Sequence, residues 1–71
     1  MKVTLQRNVH NNVDLLLDKS FDSDQAAKDF FKKVNDNLTA KSFAQVAVFT
    51  ENGQQFKKFV LRGKHYILGL Y

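Results

Sequence analysis

No cysteine and no proline occur in this sequence, and glycine is confined to Gly53, Gly63 and Gly69. Without cysteine, the disulfide staples of small secreted domains are excluded, together with thiolate metal sites and cysteine nucleophiles. Three scattered glycines make no phosphate-cradling loop. Long apolar runs are lacking too: stretches such as Leu15-Leu16-Leu17 and Phe59-Val60-Leu61 fall far short of the ~20 residues a membrane-spanning helix needs. Met1 to Arg7 alternates polar and apolar residues where a secretory signal carries an unbroken apolar stretch. A cytoplasmic location without a membrane partner is expected, which leaves the Asn37-Leu38-Thr39 sequon without meaning. The proline-free composition, rich in Lys, Asn and Phe, fits bacterial or phage coding.

At 71 residues the chain is expected to form one domain, residues 1–71, near the size at which a core only just offsets chain entropy. Apolar packing must hold it, alone or with a partner. The net charge of +4 and a pI near 9.6 favour anionic partners. Acids and bases mix between Asp14 and Asp36, whereas Lys57, Lys58, Arg62 and Lys64 follow Glu51 with no acid among them.

Lys2 to Val9 alternates as a half-buried strand does, with Val3, Leu5 and Val9 on one side. His10-Asn11-Asn12 suits a three-residue hairpin loop. Pairing Val9 with Val13 then sets Leu5 opposite Leu17 and Arg7 opposite Leu15, with Arg7 the charged intruder on an apolar face. Asp22 opens a helix, with Gln25 completing a capping box. Ala27, Phe30, Phe31, Val34 and Leu38 form its apolar stripe, and it ends between Asn37 and Ala40.

Phe43 to Thr50 and Gln55 to Arg62 are strand-like runs around Asn52-Gly53, the strongest short hairpin signal. That turn pairs Phe49 with Phe56, Ala47 with Lys58, Gln45 with Val60 and Phe43 with Arg62. A second turn at Gly63-Lys64 sets Tyr66 opposite Leu61, Leu68 opposite Phe59 and Leu70 opposite Lys57. One face then reads Ala44, Val46, Val48, Phe59, Leu61, Tyr66, Leu68 and Leu70, and is placed under the helix. The other carries Phe43, Gln45, Ala47, Phe49, Phe56, Lys58, Val60, Arg62, His65, Ile67 and Tyr71, with no second helix to cover it. The expected class is α+β, a single amphipathic helix packed on one face of a mostly antiparallel sheet, with elements in the order β-β-α-β-β-β. A strand order of 2-1-3-4-5 keeps all neighbours antiparallel and leaves strands two and five as edges. Strand five, with little charge of its own, then invites pairing in a homodimer.

The uncovered face carries the functional reading, because a small monomer rarely leaves several large apolar groups in water without a use for them. Strand twist, a helix shift or a homodimer would make Phe43, Phe49 and Phe56 ordinary core. A protein interface would use Phe49, Phe56 and Tyr71 as anchors while Lys58, Arg62 and Lys64 steer an acidic partner. A nucleic-acid platform would stack bases on the same rings and hold phosphates with the same cations. Against the last, Phe56-Lys57-Lys58-Phe59 lacks the glycine-bearing motif of RNA-recognition domains, and a single helix makes no helix-turn-helix.

A search for catalytic groups ends in solvated readings. His10 and His65 lie in or beside turns, and Ser20, Ser23 and Ser42 have no nucleophile elbow. Asp14 and Asp18 share an exposed strand face, and Asp18, Asp22 and Asp24 lack the glycine and terminal glutamate of a calcium loop. The chain is expected to be no enzyme and to need no metal or cofactor. The preferred function is a small protein-binding regulator or inhibitor, such as a phage-type modulator of a host protein, acting by occlusion. The alternative is a small basic nucleic-acid-binding protein.

Overall fold

The computed structural model describes all 71 residues and has β1 (Lys2–Val9), β2 (Asn12–Ser20), α1 (Asp24–Ala40), β3 (Ala44–Glu51), β4 (Gln54–Leu61) and β5 (Lys64–Leu70). The α+β class, the single helix on an antiparallel sheet and the element order are as the sequence implied. The strand order is not. The sheet runs β2-β1-β5-β4-β3, so β5 sits in the centre and the edges are β2 and β3. Burial explains the choice. In β5, Tyr66, Leu68, Gly69 and Leu70 are buried and Ile67 half-buried, whereas β3 is exposed along its whole length. What distinguishes β5 is its run of large side chains, Tyr66, Ile67, Leu68 and Leu70, which need cover from a strand on each flank, and only a central place supplies that.

β2 ends at one edge of the sheet and β3 begins at the other, so α1 crosses it diagonally, packing chiefly on β5 and β1. Beneath it lie Val3, Phe59 and Leu68, fully buried, with Leu70 and Tyr66, and α1 itself contributes Ala27, Phe31 and Leu38 to the same core. Each of the buried Val, Leu and Phe side chains contributes about 1.5–3 kcal/mol of transfer free energy. Phe30 and Val34 complete the apolar stripe as half-buried neighbours. The cap is Ser23, whose hydroxyl accepts from Ala26 N–H at 3.1 Å, rather than Asp22. The helix closes where expected, with Lys41 N–H donating to the Asn37 and Leu38 carbonyls and Ser42 in the left-handed region at φ 69. No helix is long and apolar enough to cross a membrane.

All three hairpins use two-residue turns. Asn52-Gly53 (φ 52 and 78) and Arg62-Gly63 (φ 52 and 77) both take left-handed residues in succession, the twist that antiparallel strands prefer. The last turn is therefore Arg62-Gly63, not Gly63-Lys64, and Phe59 pairs with Tyr66 and Lys57 with Leu68. This register differs from the expected one by two residues, which leaves every side chain on its face. The first turn is His10-Asn11, with Val9 opposite Asn12 and Arg7 opposite Asp14; a bulge at Leu16 then restores the expected pairing of Leu5 with Leu17.

The turn and the bulges change which face several groups occupy: Val13 and Leu15, expected beside Leu17 on the helix face, pair with Asn8 and Gln6 on the open face and are exposed, while Asp14 comes to the helix face. Arg7 shares the helix face with Leu5 and Val3, at a corner the diagonal helix leaves open, and its Nη2 donates to Asp14 Oδ2 at 2.8 Å. That bond raises the Arg7 pKa above its ordinary range. Asp18 instead pairs with Thr4 on the opposite face, so the two carboxylates do not share one. A second bulge, at Val46, sets Gln45 opposite Phe59 and Ala44 opposite Val60. Phe43, expected on the open face, packs on the core with its ring edge-on to Tyr66 at 4.9 Å.

Candidate functional site

The face away from α1 carries one row of rings. Phe49 on β3 and Phe56 on β4 are directly paired, and their rings stack at 5.1 Å with planes 20° apart. Tyr71 follows on the far side of Phe56, at 5.4 Å and nearly perpendicular. Its position is set by two backbone hydrogen bonds, Lys2 N–H to the Tyr71 carbonyl and Tyr71 N–H to the Lys2 carbonyl. Lys2 Nζ lies 5.5 Å from the Tyr71 ring centre, a cation–π contact that ends the row with a charge. The three rings named from sequence are thus contiguous. Phe49 is exposed, while Phe56 and Tyr71 are half-buried against each other and their neighbours.

Phe56 rests over a gap in the sheet. Its cross-strand partner on β5 is Gly69, where an added Cβ would lie 2.9 Å from Tyr71 Cε1, 3.0 Å from Thr4 Oγ1 and 3.3 Å from Phe56 Cδ1. The absence of a side chain lets both rings settle onto backbone.

The cations named from sequence are divided. Lys58 is on the open face two residues from Phe56, opposite Ala47 and Ile67. Arg62 occupies the β4–β5 turn, about 20 Å along the strand from Phe56. Lys64 begins β5 in alternation with Tyr66 and Leu68, which places it on the helix face. The cations beside the rings are Lys58 and Lys2; on the same face Glu51 lies two residues beyond Phe49 and Asp18 lies across from Thr4. Lys2 escaped the sequence reading because only the pairing of β5 with β1 brings it to Tyr71.

On the helix face two further lysines pack on aromatics. Lys19 Nζ is 5.0 Å from the Phe30 ring centre, and Lys57 Nζ is 5.5 Å from that of Phe31 while donating to Asn35 Oδ1 at 3.2 Å. Both are engaged with α1. No concave pocket opens on any face, so the molecule offers a flat surface with an aromatic ridge. No protein-family model, curated protein or solved structure matches this chain, and its function is read from that surface.

Proposed function

We propose that this chain is a non-catalytic protein-binding regulator or inhibitor, of phage type, that occludes a partner protein's surface with the open face of its sheet. The observation that supports this reading is the contiguous row Phe49–Phe56–Tyr71 flanked by Lys58 and Lys2. Large rings held by their neighbours lose little side-chain entropy on contact, and clustered aromatics are what interface centres favour, with charged side chains at the rim. Lys58 and Lys2 meet acidic groups beside the anchors, whereas Arg62 and Lys64, away from the rings, act in long-range steering.

Two features favour protein over nucleic acid as the partner. Base stacking needs a free ring face, yet Phe56 stands between Phe49 and Tyr71. The cations meant to hold phosphates, Lys58, Arg62 and Lys64, are spread over two faces and a turn. Fluorescence anisotropy with labelled single-stranded DNA, single-stranded RNA and duplex DNA at about 50 and 200 mM salt tests the choice. No binding at the lower salt is expected. Binding at micromolar concentration or tighter that falls steeply with salt and is lost in Lys58→Ala would transfer the face to nucleic acid.

A further inference from the structure

β3 is an open sheet edge with apolar side chains on both of its faces. Every residue from Ala44 to Glu51 is exposed, and Val46, Val48 and Phe49 keep 55%, 57% and 42% of their surface in solvent. Phe49 belongs to the open face and Val48, opposite Lys57, to the helix face beyond the reach of α1. A partner lying on one face covers only one of them. A strand added along the edge covers both.

The two edges are built differently. β2 carries Asp14, Asp18 and Lys19 and is bulged in mid-strand, features that discourage pairing. β3 has a single charge, Glu51, at its end; its bulge lies near its start, and Ala47 to Glu51 run against β4 without interruption.

We propose that β3 pairs antiparallel with β3 of a second copy of this chain about a two-fold axis at Phe49, joining two five-stranded sheets into one. Faces must match across such a pairing, and this register uses the whole regular stretch. Ala47 falls opposite the second copy's Glu51, Val48 opposite its Thr50, and Phe49 opposite its Phe49. An axis moved to Val48 or Ala47 would run into the bulge. The charges are self-complementary: Glu51 of one copy faces the small Ala47 of the other, and directly behind that Ala47 on β4 is Lys58. Each Glu51 thus reaches the other copy's Lys58, and symmetry makes two such pairs. Within one chain the two residues are four strand positions apart, about 13 Å, and form no ion pair. The aromatic row continues across the axis, from Tyr71, Phe56 and Phe49 into the same rings of the second copy.

This inference does not rest on the occlusion reading: it shares Phe49 and Lys58 with that site but is argued from the exposed, regular edge and its charge pattern. Sedimentation velocity of the intact chain from about 1 to about 300 μM tests it, with circular dichroism confirming that each variant is folded. A dimer is expected. Val48→Lys should raise the dissociation constant by about a hundredfold, because two like charges then enter the new ladder. Glu51→Lys and Lys58→Glu should each weaken the dimer roughly tenfold, and the double reversal should restore it. The charge-reversal cycle keeps the inference falsifiable even if Val48→Lys fails to fold. A monomer throughout the range, a dimer indifferent to Val48→Lys, or a double reversal no tighter than the single changes would overturn it.

Discussion

Gly69 lies directly across the β4–β5 ladder from Phe56, and the phenyl ring, with that of Tyr71, occupies the space a side chain at position 69 would take. A glycine in a central strand normally weakens it, through chain entropy and lost packing. Here the same absence lets two rings lie on backbone and be held side by side. The ridge on the open face therefore depends on a residue with no side chain of its own.

Gly69→Ala separates these two effects by sign. In an ordinary strand position the alanine would stabilise by about 0.5–1 kcal/mol. At this one the new Cβ must push Tyr71 and press on Thr4, so a loss of about 1–3 kcal/mol is expected, along with a change in tyrosine fluorescence. Urea unfolding followed by both signals decides it, and a stabilised variant would show that the rings do not need the gap.

Arg62 holds a left-handed backbone at φ 52, the conformation Asn52 adopts in the equivalent turn. For a side chain other than Gly, Asn or Asp this costs on the order of 1 kcal/mol. Arg62→Asn should raise stability by about that amount in thermal unfolding. If the arginine steers a partner, the more stable variant also associates more slowly at low salt. An unchanged or lowered midpoint would mean that the arginine side chain contributes to the fold something its exposed turn position does not reveal.

The helix start offers a cleaner comparison. Ser23 accepts from Ala26 N–H, and Asp22 makes no capping bond. Ser23→Ala should cost about 1 kcal/mol and Asp22→Ala only a few tenths. Equal losses in a urea titration would move the cap.

Much of this was legible in the residues. The Asn52-Gly53 turn set Phe49 against Phe56 and Ala47 against Lys58, because a two-residue turn leaves one register open. Tyr66, Leu68 and Leu70 kept their face even with the last turn misplaced, since the error was an even number of residues. What escaped were the bulges at Leu16 and Val46, which have no marker as firm as a glycine or proline; the one at Val46 turned Phe43 into the core. The strand order escaped as well. Low charge alone does not separate β5 from β3; the large side chains Tyr66, Ile67, Leu68 and Leu70 take β5 to the centre, while β3, with its smaller residues, stays at an edge. The site inherited these errors: its rings converged because their registers were right, and its cations dispersed because Arg62 and Lys64 lie at a turn that was placed one residue late.

The measurement closest to the central claim is quantitative affinity capture from a cell lysate on the immobilised chain, comparing wild type, Val48→Lys and the double variant Phe49→Ser/Lys58→Ser. The double variant gives up the Phe49–Phe56 stack, worth about 0.5–1.5 kcal/mol, so circular dichroism must first show it folded. Wild type and Val48→Lys should retain the same acidic protein, and the double variant should lose it by at least about tenfold. Retention that ignores the open-face substitutions, or no protein retained by wild type above the double variant, would contradict the assignment of that face to a protein partner.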